Sequence, residues 1–365
     1  MSGSRHHLSA TLLPAGQAAV DLWIVDGRYT REPQYGATDL APPGGYVAAG
    51  LVDVHTHLHF VGDPSAPHGR ALVDENRRAH LRAGTLLLRD MGASSDDVLG
   101  LPADDGLPLV HAAGQCLLVE ASPPFHVTAA RSLAGAITAQ AQAGARWVKI
   151  FADWPGWVGQ EEPNFGPADA LTYPTETLRD AVSAAHAAGA RVAIHAFGRE
   201  AAAAGLEAGV DSIEHGWGLD APLLEAMARA RVGWVPMLGI APGMRSGAQK
   251  TGASWQLKWI DEAMARLSTL LPLAHRLGVP ILAGTDWFPS VKLVDEVTLL
   301  HQHGLDPVAA LTAATSAARA FLGEPEFGER APADLVLYRE DPRTDLRRLA
   351  QPELVMLRGQ VVSLR

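Results

Sequence analysis

Two histidines one residue apart, His55 and His57 in Gly50-Leu51-Val52-Asp53-Val54-His55-Thr56-His57, end an apolar run rich in valine. Residues two apart on a strand face the same side, so both imidazoles can reach one cation. Read as a strand, the run also sends Asp53 to that side and Val52, Val54 and Thr56 to the other. Such a pair is half of a metal site and requires further donors from elsewhere in the chain.

Four donors follow, each late in a short apolar run: Lys149 in Trp147-Val148-Lys149-Ile150-Phe151, His195 in Val192-Ala193-Ile194-His195, His215 in Ser212-Ile213-Glu214-His215, and Asp286 in Ile281-Leu282-Ala283-Gly284-Thr285-Asp286. In a (β/α)8 barrel the strand C-termini converge on one face, where residues distant in sequence meet. The ordered set His-x-His, Lys, His, His, Asp resembles the metal-dependent amidohydrolase superfamily. Within it, the resemblance is to the binuclear branch with a carboxylated strand-four lysine, the dipeptidase and imidazolonepropionase-like group. It extends to Gly205–Gly216 and Ala313–Ala320 and covers nearly the whole chain. The resemblance implies that His55, His57 and Asp286 hold one ion, that His195 and His215 hold a second, and that modified Lys149 bridges them.

The residue chemistry agrees. An ammonium among cations is repelled, and burial together with like charge favours the neutral amine of Lys149. That amine can take up CO2 to give a carbamate with one oxygen for each of two ions. Imidazole and carboxylate donors without thiolate suit Zn²⁺, with Mn²⁺ and Fe²⁺ left open. Two ions sharing a water lower its pKa and generate a hydroxide nucleophile, and Asp286 beside it serves as general base and then as acid to the leaving group. The expected enzyme is a binuclear hydrolase of an amide, either an N-acyl amino acid or a dipeptide-like bond. A cyclic amide, lactone or carbamate is the alternative substrate class. A deaminase and a non-catalytic barrel scaffold rank below both.

Candidate substrate contacts are His126, Trp154, Tyr173, Arg245 and Trp287, from three loops that offer aromatic walls and a cationic anchor for a carboxylate. Glu214, adjacent to His215, is expected to point away from the interior. Arg89 and Asp90 are expected to brace the mouth, and His59 to lie beside the site or in a loop. His6, His7, His80, His186, His301 and His303 are read as surface or helix residues.

Strand and helix signals alternate as a parallel α/β fold requires. Beyond the opening strand, strands are expected at Thr85–Arg89, Leu109–Cys116, Trp147–Phe151, Arg191–His195, Val210–His215, Val232–Val235 and Val279–Ala283, which completes eight. Thr175 is a candidate N-cap, Asp220 caps Ala221–Ala230, and Asp306 with Pro307 opens a helix running through Leu311, Ala314, Ala318 and Phe321 to Gly323. Pro272 should kink or divide Trp255–Leu277. Short patterned runs at both ends suggest one small β-sandwich module, 1–48 with 330–365, around a TIM barrel of 49–329.

The 365 residues are 47% hydrophobic and 19% charged, with a formal net charge of −10. This balance suits a soluble enzyme with a large core and argues against a nucleic-acid partner, which calls for clustered Lys and Arg. The partner expected is a small-molecule substrate, with a homo-oligomer left open and no membrane association. Cys116 is the only cysteine, so no intrachain disulfide can form. Met1–Leu13 lacks the apolar core of a secretory signal, which makes a reducing cytoplasm the expected location.

Overall fold

Apolar strand runs separated by alanine-rich helices give an α/β chain with a β sheet built from its two ends. The computed structural model describes residues 4–59, 69–92, 96–118, 127–129, 132–153 and 171–364. The first strands are β1 (Arg5–Leu12), β2 (Ala19–Val25), β3 (Arg28–Thr30), β4 (Thr38–Asp39) and β5 (Tyr46–Ala48). The parallel portion contains β6 (Leu51–Thr56), α1 (Arg70–Arg82), β7 (Thr85–Asp90), β8 (Leu109–Ala112), β9 (Cys116–Leu118), β10 (Val127–Ala129), α2 (Leu133–Gln142) and β11 (Trp147–Phe151). It continues through α3 (Thr175–Ala187), β12 (Arg191–Ala196), α4 (Arg199–Ala208), β13 (Ser212–His215), α5 (Ala221–Ala230) and β14 (Gly233–Val235). Helices α6 (Ala241–Thr251), α7 (Ser254–Leu277), α8 (Leu293–Gln302), α9 (Pro307–Ala313) and α10 (Ser316–Leu322) precede β15 (Leu335–Tyr338), β16 (Leu354–Leu357) and β17 (Gln360–Val361).

Strands β6-β7-β8 form one parallel sheet and β10-β9-β11-β12-β13-β14 another. The single uninterrupted ring of eight expected from the sequence is therefore not present as one ladder. Two local causes are visible. Gly114, at φ +73°, breaks Leu109–Cys116 into β8 and β9. The Val279–Ala283 run makes only an isolated bridge, Trp234 to Ile281. That run nevertheless lies between the sheets: Leu282 N donates to Trp234 O on one side, at 2.9 Å, and Ala283 O accepts from Val54 N on the other, at 3.0 Å.

Helix punctuation follows the sequence with informative exceptions. Asp220 caps α5 through Leu223 N, and Asp306 caps α9 through Val308 N and Ala309 N. Pro174, not Thr175, is the N-cap residue of α3, whose buried stripe is Leu178, Val182 and Ala185. The long helix expected to reach Phe321 is two helices. The carbonyls of Ala313 and Ala314 accept from Ala283 N and Val52 N, so they leave the helical ladder to bond to strand segments. Pro272 does not divide α7, which runs unbroken from Ser254 to Leu277.

The two chain ends pair directly, since β5 runs antiparallel to β15 with Val47 opposite Leu337. All eight terminal strands join one sheet, ordered β17-β16-β15-β5-β1-β2-β3 with β4 beside β1. Among the described residues no helix is long and apolar enough to cross a membrane.

His80 is a buried helix residue on α1, not a surface one. Its ring stacks on Phe288 at 3.6 Å, and burial pushes its pKa down to about 3 from 6.5. The unfolded chain takes up this proton first, so the stability that depends on neutral His80 is complete above pH 6.5 and is lost as pH falls towards 3. In chelator-treated protein, His80→Phe should flatten the pH dependence of the unfolding free energy across that window by up to about 1.4 kcal/mol per pH unit. An unchanged slope would refute this assignment.

Candidate metal centre

Strand β6 delivers His55, and His57 follows one residue past its end, both with their ring orientations already set. His57 Nδ1 donates to Gly92 O at 2.6 Å, and His55 Nδ1 donates to Glu214 Oε2 at 2.5 Å. With Nδ1–H committed outward, each ring presents the Nε2 lone pair inward. Asp286 meets both: its Oδ1 lies 3.4 Å from His55 Nε2 and 3.1 Å from His57 Nε2. Donor atoms of these three residues lie within 4.8 Å of one another.

Asp286 reaches this point because its backbone adopts φ +58°, rare for a side-chain-bearing residue, while its N–H donates to His55 O at 2.7 Å. Gly284 permits the approach, since a Cβ there would lie 2.6 Å from His55 Cβ. Beneath them, Asp53 Oδ1 accepts from His55 N and Thr285 N, and Oδ2 accepts from the Thr285 hydroxyl at 2.7 Å. Burial pushes the Asp53 pKa up to about 7 against these hydrogen bonds. Asp90 accepts from Leu58 N and Gly92 N, thereby fixing the carbonyl that receives His57.

Lys149 Nζ lies 3.3 Å from His55 Nε2. Burial lowers the lysine pKa, and Arg89 acts in the same direction. His195 and His215 lie alongside, with ring centroids 4.6 Å apart and His215 6.0 Å from His55. Burial depresses both well below the ordinary histidine value, which keeps the imidazoles neutral, the form that binds metal. For Asp286, burial works upward, but the closeness of His55 and His57 outweighs it and holds the carboxyl well below its usual range. Four imidazoles, of which burial favours the neutral form at His55, His195 and His215, with an ionised carboxylate and a lysine biased towards its free amine, form a donor set that suits divalent cations of the Zn²⁺ type.

Two positions depart from the sequence reading or were missed by it. Glu214 points inward beside His215, because His215 at φ +67° breaks the strand alternation on which the outward assignment rested. Asp153, two residues beyond Phe151, accepts from Phe197 N and Gly198 N and places Oδ1 3.8 Å from His195 Nε2. Its parity with Lys149 along the strand was the available signal.

The substrate contacts read from the loops divide. His126 and Trp154 lie outside the described residues. Tyr173 is buried in the apolar core, where burial raises its phenol to about 12. Trp287 sits against α6 at Gly243, where a Cβ would come 2.6 Å from the indole. Arg245 is paired with Asp261 at the exposed surface rather than held free as an anchor. His59 is buried, with Nε2 3.7 Å from Asp97.

The amidohydrolase family profile matches residues 46–362. The chain belongs to the amidohydrolase family. This amidohydrolase is 34% identical over 376 residues to an uncharacterized protein of Mycobacterium bovis, covering 98% of this chain and 95% of that one. A Bifidobacterium longum protein provisionally named a prolidase superposes with a TM-score of 0.82 at 26% identity, over 98% of this chain and 94% of its own. An Xaa-Pro dipeptidase with bound methionine shares the fold with a TM-score of 0.81 at 18% identity, over 99% and 100% of the two chains. The amidohydrolase is an enzyme, a hydrolase acting on carbon–nitrogen bonds, and its family generally uses divalent metal ions.

Because Arg245 is already paired at the surface, Arg245→Ala should change KM for a carboxylate-bearing substrate by no more than about fivefold, the scale of an exposed ion pair. A rise confined to carboxylate substrates and well beyond that would reinstate the anchor.

Proposed function

We propose that this amidohydrolase is a binuclear metal-dependent enzyme cleaving an amide bond of the N-acyl amino acid or dipeptide type. The reading is carried by the convergence of His55 and His57 Nε2 on Asp286 Oδ1, with Lys149 Nζ beside His55. On this reading His55, His57 and Asp286 would hold one Zn²⁺, His195 and His215 would hold the other, and Lys149 as its carbamate would supply both with an anionic donor. We propose further that 49–329 is the barrel-type hydrolase domain and that 1–48 with 330–365 make up a β module around the eight-stranded terminal sheet. The dipeptide class draws on the names carried by the structural neighbours, a prolidase and an Xaa-Pro dipeptidase.

When bound, the ions supply an activated water and polarise the scissile carbonyl. The neutral Lys149 amine attacks CO2, forming an N–C bond and releasing a proton, and so becomes the anion the site needs. Asp286 takes one proton from the attacking water at a carboxylate oxygen. It returns that proton to the departing nitrogen as the C–N bond breaks, and is left ionised for the next cycle. His55 and His57 orient that carboxylate.

Zn²⁺-loaded enzyme kept in bicarbonate should release free amino acid from members of an N-acyl amino acid and dipeptide library. Chelation should abolish the release and added Zn²⁺ should restore it. Asp286→Asn should lower kcat by about 10²- to 10⁴-fold. Ring opening without a released amine would transfer the assignment to cyclic amides or lactones, ammonia release to deamination. Turnover indifferent to chelation would overturn the reading.

A further inference from the structure

Beneath the candidate metal centre lies a fully enclosed group of charged residues that the proposed chemistry does not use. Glu214 and Arg89 have no solvent exposure. Glu214 Oε2 is 2.5 Å from His55 Nδ1, and Oε1 accepts from Arg89 at 2.9 Å and from the Ser212 hydroxyl at 2.5 Å. Arg89 is fixed in turn. It donates to Ser212 Oγ at 3.0 Å and to Val54 O, and its guanidinium lies 4.3 Å from the centre of the Trp147 ring. The group spans β6, β7, β11 and β13, so His55 is braced by three strands besides its own.

We propose that Glu214, held by Arg89 and Ser212, is a positioning residue that fixes the Nδ1–H tautomer and ring orientation of His55 and so governs how tightly the His55, His57 and Asp286 end of the site binds a divalent cation. This rests on the metal-dependent reading above. A ligating imidazole is most effective when its other nitrogen donates to a carboxylate, which locks the tautomer and makes the ring a better donor. Oε1 of Glu214 is taken by Arg89 and Ser212, and Oε2 is the oxygen that meets His55.

An isosteric change separates positioning from filling space. In Glu214→Gln the amide oxygen must satisfy the donors of Arg89 and Ser212, which turns the NH2 towards His55 Nδ1. That nitrogen can then only accept, so the proton moves to Nε2 and blocks the lone pair directed at the ion. Zn²⁺ alone, titrated against a chromogenic chelator, should bind Glu214→Gln about 10- to 100-fold more weakly than the parent. Glu214→Asp, which keeps the anion, should retain more affinity than Glu214→Gln. Equal affinity of the Gln variant and the parent, or an Asp variant weaker than the Gln variant, would overturn the proposal and leave the metal-dependent reading standing. A parent that binds no Zn²⁺ would overturn both.

Removing the carboxylate leaves a buried guanidinium uncompensated and can prevent folding. A second measurement avoids the variants. In metal-free parent protein, ¹⁵N-labelled histidine spectra should show His55 protonated at Nδ1 with a strongly deshielded proton, as a short bond to a carboxylate demands. A His55 protonated at Nε2 would refute the assignment.

Discussion

The site is governed by the cost of keeping ionisable groups out of water. Asp53, His55, Arg89, Lys149, Glu214 and Asp286 are all buried where the strands converge. Charges moved into such surroundings lose several kcal/mol of hydration each, recovered only where partners and hydrogen bonds are well placed. The packing here shows how that is arranged. Asp53 receives donors from two segments, Asp286 faces two imidazoles, and Glu214 sits between Arg89 and His55. Lys149 has no carboxylate within hydrogen-bonding distance among the described residues, and its burial favours the uncharged amine. Burial thus biases Lys149 towards the neutral form that its proposed chemistry requires.

Two backbone exceptions make this arrangement possible. His215 and Asp286 both carry positive φ, at +67° and +58°, at the ends of segments that supply proposed ligands. Strain of this kind persists only where the surroundings over-determine it. The bond from Asp286 N to His55 O and the bond from the Trp234 indole to His215 O are two of the contacts that do so. Both exceptions turn a side chain towards a centre that regular strand geometry would have missed.

The sequence marked the residues that the structure gathers as His55, His57 and Asp286, because each lies at or just past the end of a buried apolar run. The starts of α5 and α9 were legible because Asp220 and Asp306 cap through local bonds to the first turn, whereas Thr175 did not serve as the cap of α3. What escaped was decided by tertiary contacts. Glu214 was misassigned because alternation fails at His215. One expected helix became α9 and α10 because two of its carbonyls bond to strand segments, and Pro272 was accommodated within α7. Arg245 looked like an anchor until Asp261, sixteen positions away in sequence, proved to be beside it.

The bonds from Val54 N to Ala283 O and from Val52 N to Ala314 O order events during synthesis. One edge of β6 has no backbone partner until residues 283 and 314 have left the ribosome, and β5 waits still longer for β15. Bridging such separations carries a loop-closure cost that local contacts do not share. His55 and His57 are thus made early but caged late, and a nascent chain truncated before residue 283 would present both imidazoles without the carboxylate that completes their set.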